Sequence, residues 1–397
     1  MRATESSTQL VFTQTEILNI LLNYVYGGDF AVAAWSLPDD DTITVIISEK
    51  PVSIRRDAAL EELPFGYLFA PFDRRKDTLF LEADYAFRIR NGALASPTNE
   101  LEAKSFEWLH DVCDKSVRTP VNGFSNTKTI EEFSRGHYVN LVKMALAEVE
   151  AGTFEKVVPS RRKSVPLPEG FDLVDAFLKL CKAYSHTFVS LTSSPQTGTW
   201  LGASPEELVR VFDRTIFKTV ALAGTQPYVE GLNLRDASWT QKEIEEQALV
   251  ERYIISCFKK IRLREYDEYG PKTVVAGNLM HLRSEFTVNM KETNFPQLGT
   301  VMLQLLHPTS AVCGMPLDAA LAFIETHEGY DRAFYSGFAG PVNIDNQINL
   351  FVNLRCMEIT KGSAILYAGA GVTIDSVPEK EWEETEMKMR TLLSQIQ

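Results

Sequence analysis

Cysteine is scarce and scattered in this chain. Five occur in 397 residues, and the closest two, Cys313 and Cys356, lie more than forty positions apart. That spacing excludes a Cys-x-x-Cys zinc or redox motif and a disulfide-stapled scaffold, and it fits reduced, mostly buried thiols in a cytoplasmic protein. Histidine is nearly as rare, at six, and no HExxH, GxSxG or P-loop pattern occurs. Zinc hydrolase, serine hydrolase and nucleoside-triphosphate chemistry are therefore poor readings. One long uncharged stretch runs from Thr293 to Leu317, but Pro296, Gln297, Gln304, His307 and Pro308 interrupt it. It reads as buried loop and helix, not a membrane span. The polar segment Met1 to Thr15 lacks the apolar core of a secretory leader. Basic residues are also few, 40 against 53 acidic, for a net charge of −13. Such a surface argues against nucleic acid or an anionic membrane as partner. An anionic substrate would need local cations or a metal ion.

What remains is 45% hydrophobic and 23% charged, the mix of a globular protein of one large or two ordinary domains. Residues 1–125 read as one unit. Thr15 to Tyr26 and Leu101 to Val112 have helical patterning, and Thr42 to Ser48, Phe65 to Phe72 and Thr78 to Leu81 are strand-like. Thr119 to Thr129, rich in Pro, Gly, Asn and Ser, reads as a linker. Residues 126–397 form the second region. Ser134 is placed to cap a helix bearing Tyr138, Leu141, Val142, Ala145, Leu146 and Val149 on one face, with Gly152 just past its end, and Phe171 to Tyr184 is another helix. Strands are expected near Lys156 to Pro159, Thr187 to Leu191, Thr215 to Ala221, Asn349 to Arg355 and Ala364 to Tyr367. The mixture lacks regular βαβ spacing, which favours an α+β fold with large, mostly antiparallel sheets.

Two helices concentrate acidic side chains. In Trp239 to Ile261, Glu243 and Glu246 share a face; in Glu379 to Leu393, Glu381, Glu384 and Lys388 do so. Two such faces meeting across a cleft would suit a hard cation such as Mg²⁺. Spacing alone also describes two solvated faces, the commoner case. Gly369 and Gly371 follow an expected strand and would let backbone N–H groups approach an anion, or simply make a turn. Arg355 closes the apolar run LFVNLR and either faces solvent or binds a carboxylate. Lys156 opens KVVPSRR as a base or as an edge-strand lysine. Glu206, after Ser204-Pro205, is an aimed carboxylate or an ordinary helix start.

The order of the motifs says more. KVVPSRR, GASPEELV, ALAGT, KEIEEQ, LHPTSAVCG, YDRAFYSGFAG, NLRCMEI and YAGAGVTIDSVPEKEWEETEMK follow one another between Lys156 and Lys388. In this the chain resembles the chorismate-utilising enzymes: anthranilate synthase large subunits, aminodeoxychorismate, salicylate and isochorismate synthases. The resemblance covers the last ~270 residues closely and the N-terminal region loosely. It implies one α+β body of two packed, mostly antiparallel β layers with helices outside, so residues 1–125 would be a subregion of it.

The resemblance also implies a branch. Lys156 stands where amine-inserting members usually have glutamine, and Ala223 in ALAGT replaces the nucleophilic lysine of aminodeoxychorismate synthases. LHPTSAVCG is similar to the isochorismate synthase form, whereas Pro159 resembles the anthranilate branch. The implied reaction is Mg²⁺-dependent conversion of chorismate to isochorismate, with Lys156 as general base toward water and Glu206 as general acid toward the departing 4-hydroxyl. Glu246 and Glu384 would hold the metal, with Glu243 and Glu381 around it. Arg355 and Tyr335 would bind the enolpyruvyl carboxylate. Gly224, Thr225, Ala311, Gly369, Gly371 and Lys388 would complete the anion site, and His281 would contact substrate or support the wall. No glutaminase subunit is expected. Salicylate synthase is the runner-up, then aminodeoxychorismate or anthranilate synthase; a non-catalytic chorismate binder would not need the acid–base pair. Isochorismate feeds menaquinone, siderophore or salicylate synthesis.

Overall fold

The computed structural model describes residues 12–396, apart from 56, 114–122, 125–129, 131–133, 229–230, 232 and 277–278. Its frame is two nine-stranded sheets, and every strand pairing within them is antiparallel. The first sheet orders its strands Ala93–Leu94, Tyr85–Arg90, Ile43–Ser48, Ala31–Ser36, Phe188–Ser194, Gly198–Ser204, Cys356–Thr360, Ser363–Gly369, Ser160–Pro166. The second runs Asp267–Ala276, Leu279–Asn289, Ile216–Pro227, Glu207–Phe212, Gln347–Val352, Phe338–Ile344, Gly66–Ala70, Thr78–Glu82, Val52–Ile54. Strands from the first 94 residues thus extend both sheets. Most of the expected linker, Thr119 to Thr129, lies outside the described residues; of it, Gly123 and Phe124 are described, and the Phe124 carbonyl accepts a hydrogen bond from Thr199 Oγ1 at 3.1 Å.

Strand alternation explains the layering. In Ala31–Ser36 all six residues are buried, because both faces are covered. Val32 and Ala34 face a helical layer made by Gln14–Gly27, Leu173–Ala183 and the C-terminal helix Pro378–Ile396. Ala31, Ala33 and Trp35 face the second sheet, where Tyr67 and Phe69 meet them. Trp35 stacks on Tyr67 at 5.3 Å and Phe188 on Phe351 at 4.3 Å, so aromatic rings weld the sheets face to face. The second sheet's other face, with Leu68 and Ala70, packs on the acidic helix Gln241–Lys260 and on Leu298–Leu306. A smaller core gathers Arg135–Glu150 and Leu317–His327 around a two-stranded ribbon, Lys156–Val157 with Gly314–Met315.

The helix starts follow local chemistry. Ser134 Oγ accepts from His137 N at 3.2 Å, and Tyr138, Leu141, Val142 and Ala145 are buried behind it. Thr240 begins the acidic helix with a capping box in which Glu243 returns to the Thr240 amide at 2.8 Å. Among the described residues, no helix is long and apolar enough to cross a membrane.

Candidate active site

The chain passes between the two sheets twice at one place. Residues 205–206 join Gly198–Ser204 to Glu207–Phe212, and residues 353–355 join Gln347–Val352 to Cys356–Thr360. The crossings are tied together: Val352 N donates to the Glu206 carbonyl at 3.0 Å, and Ala203 N to the Arg355 carbonyl at 3.0 Å. Glu206 and Arg355 therefore sit side by side where the sheets part. This closes one alternative left open by the sequence and corrects one expectation. Glu206 starts no helix, because Pro205 and the Val352 contact carry it straight into a strand. Arg355 does not end a strand, because the strand stops at Val352 and Arg355 takes φ +46° to turn into the other sheet.

A cleft of about 620 Å³, partly open to solvent, lies at this crossing. Glu206, Gly224, Thr225, Glu246 and His281 line it, and so do Ala311, Tyr335, Arg355, Gly369 and Lys388. Ala223 lines it too, at the position where the resemblance would place a nucleophilic lysine in an aminodeoxychorismate synthase. A larger groove, about 1290 Å³, runs beside Glu155 and Arg252. Its charged pair is over half exposed at 3.2 Å, so it offers no desolvated acid–base group.

Charge is held differently at the two ends of the cleft. At the crossing, Glu206 is buried and takes one hydrogen bond, from Thr309 Oγ1 at 3.1 Å. Burial raises its carboxyl to about 7, against weaker downward pulls from Thr309, Lys156, Lys388 and Arg355. Burial also lowers the Arg355 guanidinium to about 10. His281 is driven down to about 3 by burial and by Arg355, so it is neutral. Its Nδ1 lies 2.8 Å from the Gly224 carbonyl. A carbonyl only accepts, so that nitrogen carries the proton and Nε2 presents a lone pair toward Arg355. Burial pushes the Tyr335 hydroxyl well above its usual range, so it stays a donor.

At the other end, the acidic and C-terminal helices bring up carboxylates that are each paired with a lysine. Glu246 Oε1 is 2.9 Å from Lys156 Nζ, Glu384 Oε1 is 2.7 Å from Lys388 Nζ, and Glu381 Oε1 is 2.7 Å from Lys242 Nζ. Lys156 is fully buried, and its contact with Glu246 is an ion pair without hydrogen-bond alignment. Burial pushes Glu246 up, but Lys156, Lys242 and Lys388 outweigh it and hold the group below its ordinary value. Glu381 is raised, by burial and by Glu384. Gly371 makes this packing possible: a Cβ there would stand 2.3 Å from Glu246 Oε1 and 2.9 Å from Lys156 Cε. Lys388 also donates to the Gly369 carbonyl at 2.9 Å.

The four glutamates are not equivalent. Glu243 is spent on the helix cap and on Gln226 Nε2 at 2.7 Å. Glu381 Oε2 is buried without a hydrogen-bond partner. Among the described residues no three His, Cys, Asp or Glu side chains form a metal cage. The donors that are present, carboxylate oxygens of Glu246 and Glu384 with the orphaned Glu381 Oε2 nearby, are of the oxygen type a hard cation takes when substrate and water complete its shell. Sequence reasoning assigned nothing to Lys242 or Thr309. Both stand inside motifs quoted above, KEIEEQ and LHPTSAVCG, but the contacts that matter come from distant segments.

Similarity to known proteins covers the same stretch of chain. A family model described as chorismate binding enzyme matches residues 74–397. Isochorismate synthase DhbC of Bacillus subtilis is 32% identical over 268 residues, covering 64% of this chain and 66% of its own length. Anthranilate synthase component 1 of Thermus thermophilus is 29% identical over 399 residues, covering 94% of this chain and 78% of its own. The curated isochorismate synthases are matched over about half to two thirds of their lengths. A solved DhbC structure from Bacillus anthracis superposes with a TM-score of 0.71 at 22% identity, covering 95% of this chain and 99% of that one, which establishes the shared fold. Cleft, motifs and family match coincide on one stretch of chain, and the protein belongs to the chorismate-binding enzyme family.

Proposed function

We propose that the chain is an isochorismate synthase that adds water at C2 of chorismate and expels the 4-hydroxyl. The observation that carries this reading is a buried carboxyl, Glu206, whose value near 7 lets it hold a proton at neutral pH, within electrostatic reach of a fully buried lysine, Lys156. Lys156, once it has shed its own proton, takes one from water as the C2–O bond forms. The ring double bonds shift, the C4–O bond breaks, and Glu206 protonates the leaving oxygen. Water is added and water is lost, so the reaction is a net isomerisation.

Recognition rests on the cations of the cleft. Arg355 and the neutral Tyr335 hydroxyl hold the enolpyruvyl carboxylate. His281 Nε2 faces the Arg355 guanidinium at 3.4 Å and limits where it can lie. Lys388 and the close backbone at Gly224 and Gly369 leave room for the ring carboxylate. Glu246 and Glu384 would hold Mg²⁺, with Glu381 beside them; when bound, the ion neutralises the ring carboxylate and draws charge from the ring. Ala223 leaves the cleft without a nucleophilic lysine at that position, which favours water over amine addition and dispenses with a glutaminase partner. The acidic surface and the anionic substrate are thereby reconciled.

The test is incubation with chorismate and Mg²⁺ without ammonia, followed by chromatography. Isochorismate is expected. Salicylate with pyruvate would instead indicate continued elimination. In a parallel arm with ammonium at neutral pH, a predominant aminated product would overturn the water-using assignment.

A further inference from the structure

The cleft walls carrying the acid and the base meet at a buried ion pair that touches neither. The ribbon strand Lys156–Val157 is followed by Val158 and by Pro159, which has no N–H, and the chain then joins the first sheet at Ser160. Arg332 Nη2 donates to the Val158 carbonyl at 2.7 Å, and Arg332 Nη1 to the Val312 carbonyl at 2.9 Å. Nε and Nη2 also grip Glu328, at 2.7 and 2.6 Å. Glu328 in turn accepts from Ser160 N at 2.9 Å and from Ser160 Oγ at 2.7 Å. Both charged side chains are almost fully buried, at 2% and 1% exposure.

Each contact leads to the chemistry. Val158 and Val312 line the cleft. Lys156 is two residues before Val158. The Thr309 carbonyl accepts from Val312 N at 3.1 Å and Cys313 N at 2.9 Å, while the Thr309 hydroxyl donates to Glu206. One guanidinium therefore sets the spacing between the strand of the base and the loop that holds the acid. A buried ion pair is costly and often no more stabilising than apolar packing, so stability is a weak reason for this one. A lysine could not replace the arginine: its donors radiate from one atom and cannot serve two carbonyls and a bidentate carboxylate together.

We propose that Arg332, braced by Glu328, is a positioning residue that fixes the distance between Lys156 and Glu206. This rests on the acid–base reading above. The test is steady-state kinetics and thermal melting of the full chain as wild type, Arg332→Lys and Glu328→Gln, with Lys156→Ala alongside. Arg332→Lys keeps the charge and loses the fork. It is expected to lower kcat about tenfold or more, since misplacement of ~1 Å can cost ~10²-fold, while KM stays within about threefold. Glu328→Gln, nearly isosteric, is expected to do the same more weakly. A folded Arg332→Lys with kcat within twofold of wild type overturns the proposal, and so does a parallel collapse of kcat and KM. If Arg332→Lys fails to fold, Glu328→Gln decides by the same criteria. Failure of both to fold also overturns it, because the pair is then a determinant of the fold. If Lys156→Ala stays active, the acid–base reading falls and this proposal falls with it; if only the product differs while Lys156→Ala is inactive, the kcat–KM comparison on the actual product decides for Arg332.

Discussion

The two ends of the cleft treat charge in opposite ways. At the sheet crossing, Glu206 and Arg355 are buried singly, and burial shifts each toward its neutral form. Between the helices, Glu246, Glu384 and Glu381 each keep a lysine within 2.9 Å, so charge is stored in pairs. A lone buried group can exchange a proton near neutral pH; a paired one holds its charge and offers it to a ligand that rearranges the pairs. Proton transfer to the leaving group is thus expected from the crossing and ion binding from the helices, and Lys156, paired with Glu246, is free to act as a base only once a bound ligand rearranges that pair.

The strongest way to break this division is to remove the ion. Excess chelator is expected to reduce isochorismate formation to background, with recovery on adding Mg²⁺, and Glu246→Gln should be nearly inactive at any Mg²⁺ concentration. Full activity in chelator would end the metal assignment. Next come the acid and the base. Lys156→Ala and Glu206→Gln should each lower turnover by ~10²-fold or more, the usual scale of general acid–base catalysis. A binding titration should show chorismate still bound; lost binding with intact chemistry would place these residues in recognition.

The helical end is probed by Lys242→Met, which strands Glu381, a carboxylate 1% exposed. Burial and Glu384 already raise Glu381, and losing Lys242 raises it further, so a drop in the melting temperature that grows with pH is expected, measured without metal. An unchanged melt would mean that Glu381 is held by something other than Lys242. The finest test is Thr309→Val. Its hydroxyl stabilises the ionised form of Glu206, so its loss raises that carboxyl above about 7. The limb of the bell-shaped pH–rate profile belonging to Glu206 should then move to higher pH, with kcat changed only a few-fold. A downward move would contradict the assignment.

Much of this was legible beforehand because it depends on local pattern. The helices around residues 15–26 and 101–112 are announced by apolar spacing, the one around 135–150 by the Ser134 cap as well, and the Lys156, Glu206, Glu246 and Glu384 motifs stand out in linear order. The helix start that SPEE left open and the strand end misread at Arg355 share one cause. SPEE has the composition of a helix start and LFVNLR that of a strand end, and both sit where the chain changes sheets. Backbone hydrogen bonds from residues about 150 positions away override the local preference there. Lys242, Thr309 and Arg332 were passed over for the complementary reason: each is an ordinary residue until a distant carboxylate or carbonyl meets it.

The sequence by itself determined the α+β layering, the family to which the chain belongs and the residue types of the cleft. Periodicity, caps and motif order are properties of short segments, and short segments carry them unaided. Only the tertiary structure decided which carboxylate is buried alone and which is paired, that Glu243 is committed to a helix cap, and that a single guanidinium joins the two walls. Those outcomes depend on desolvation and on contacts between residues up to hundreds of positions apart, and they exist only once the two sheets have closed on each other.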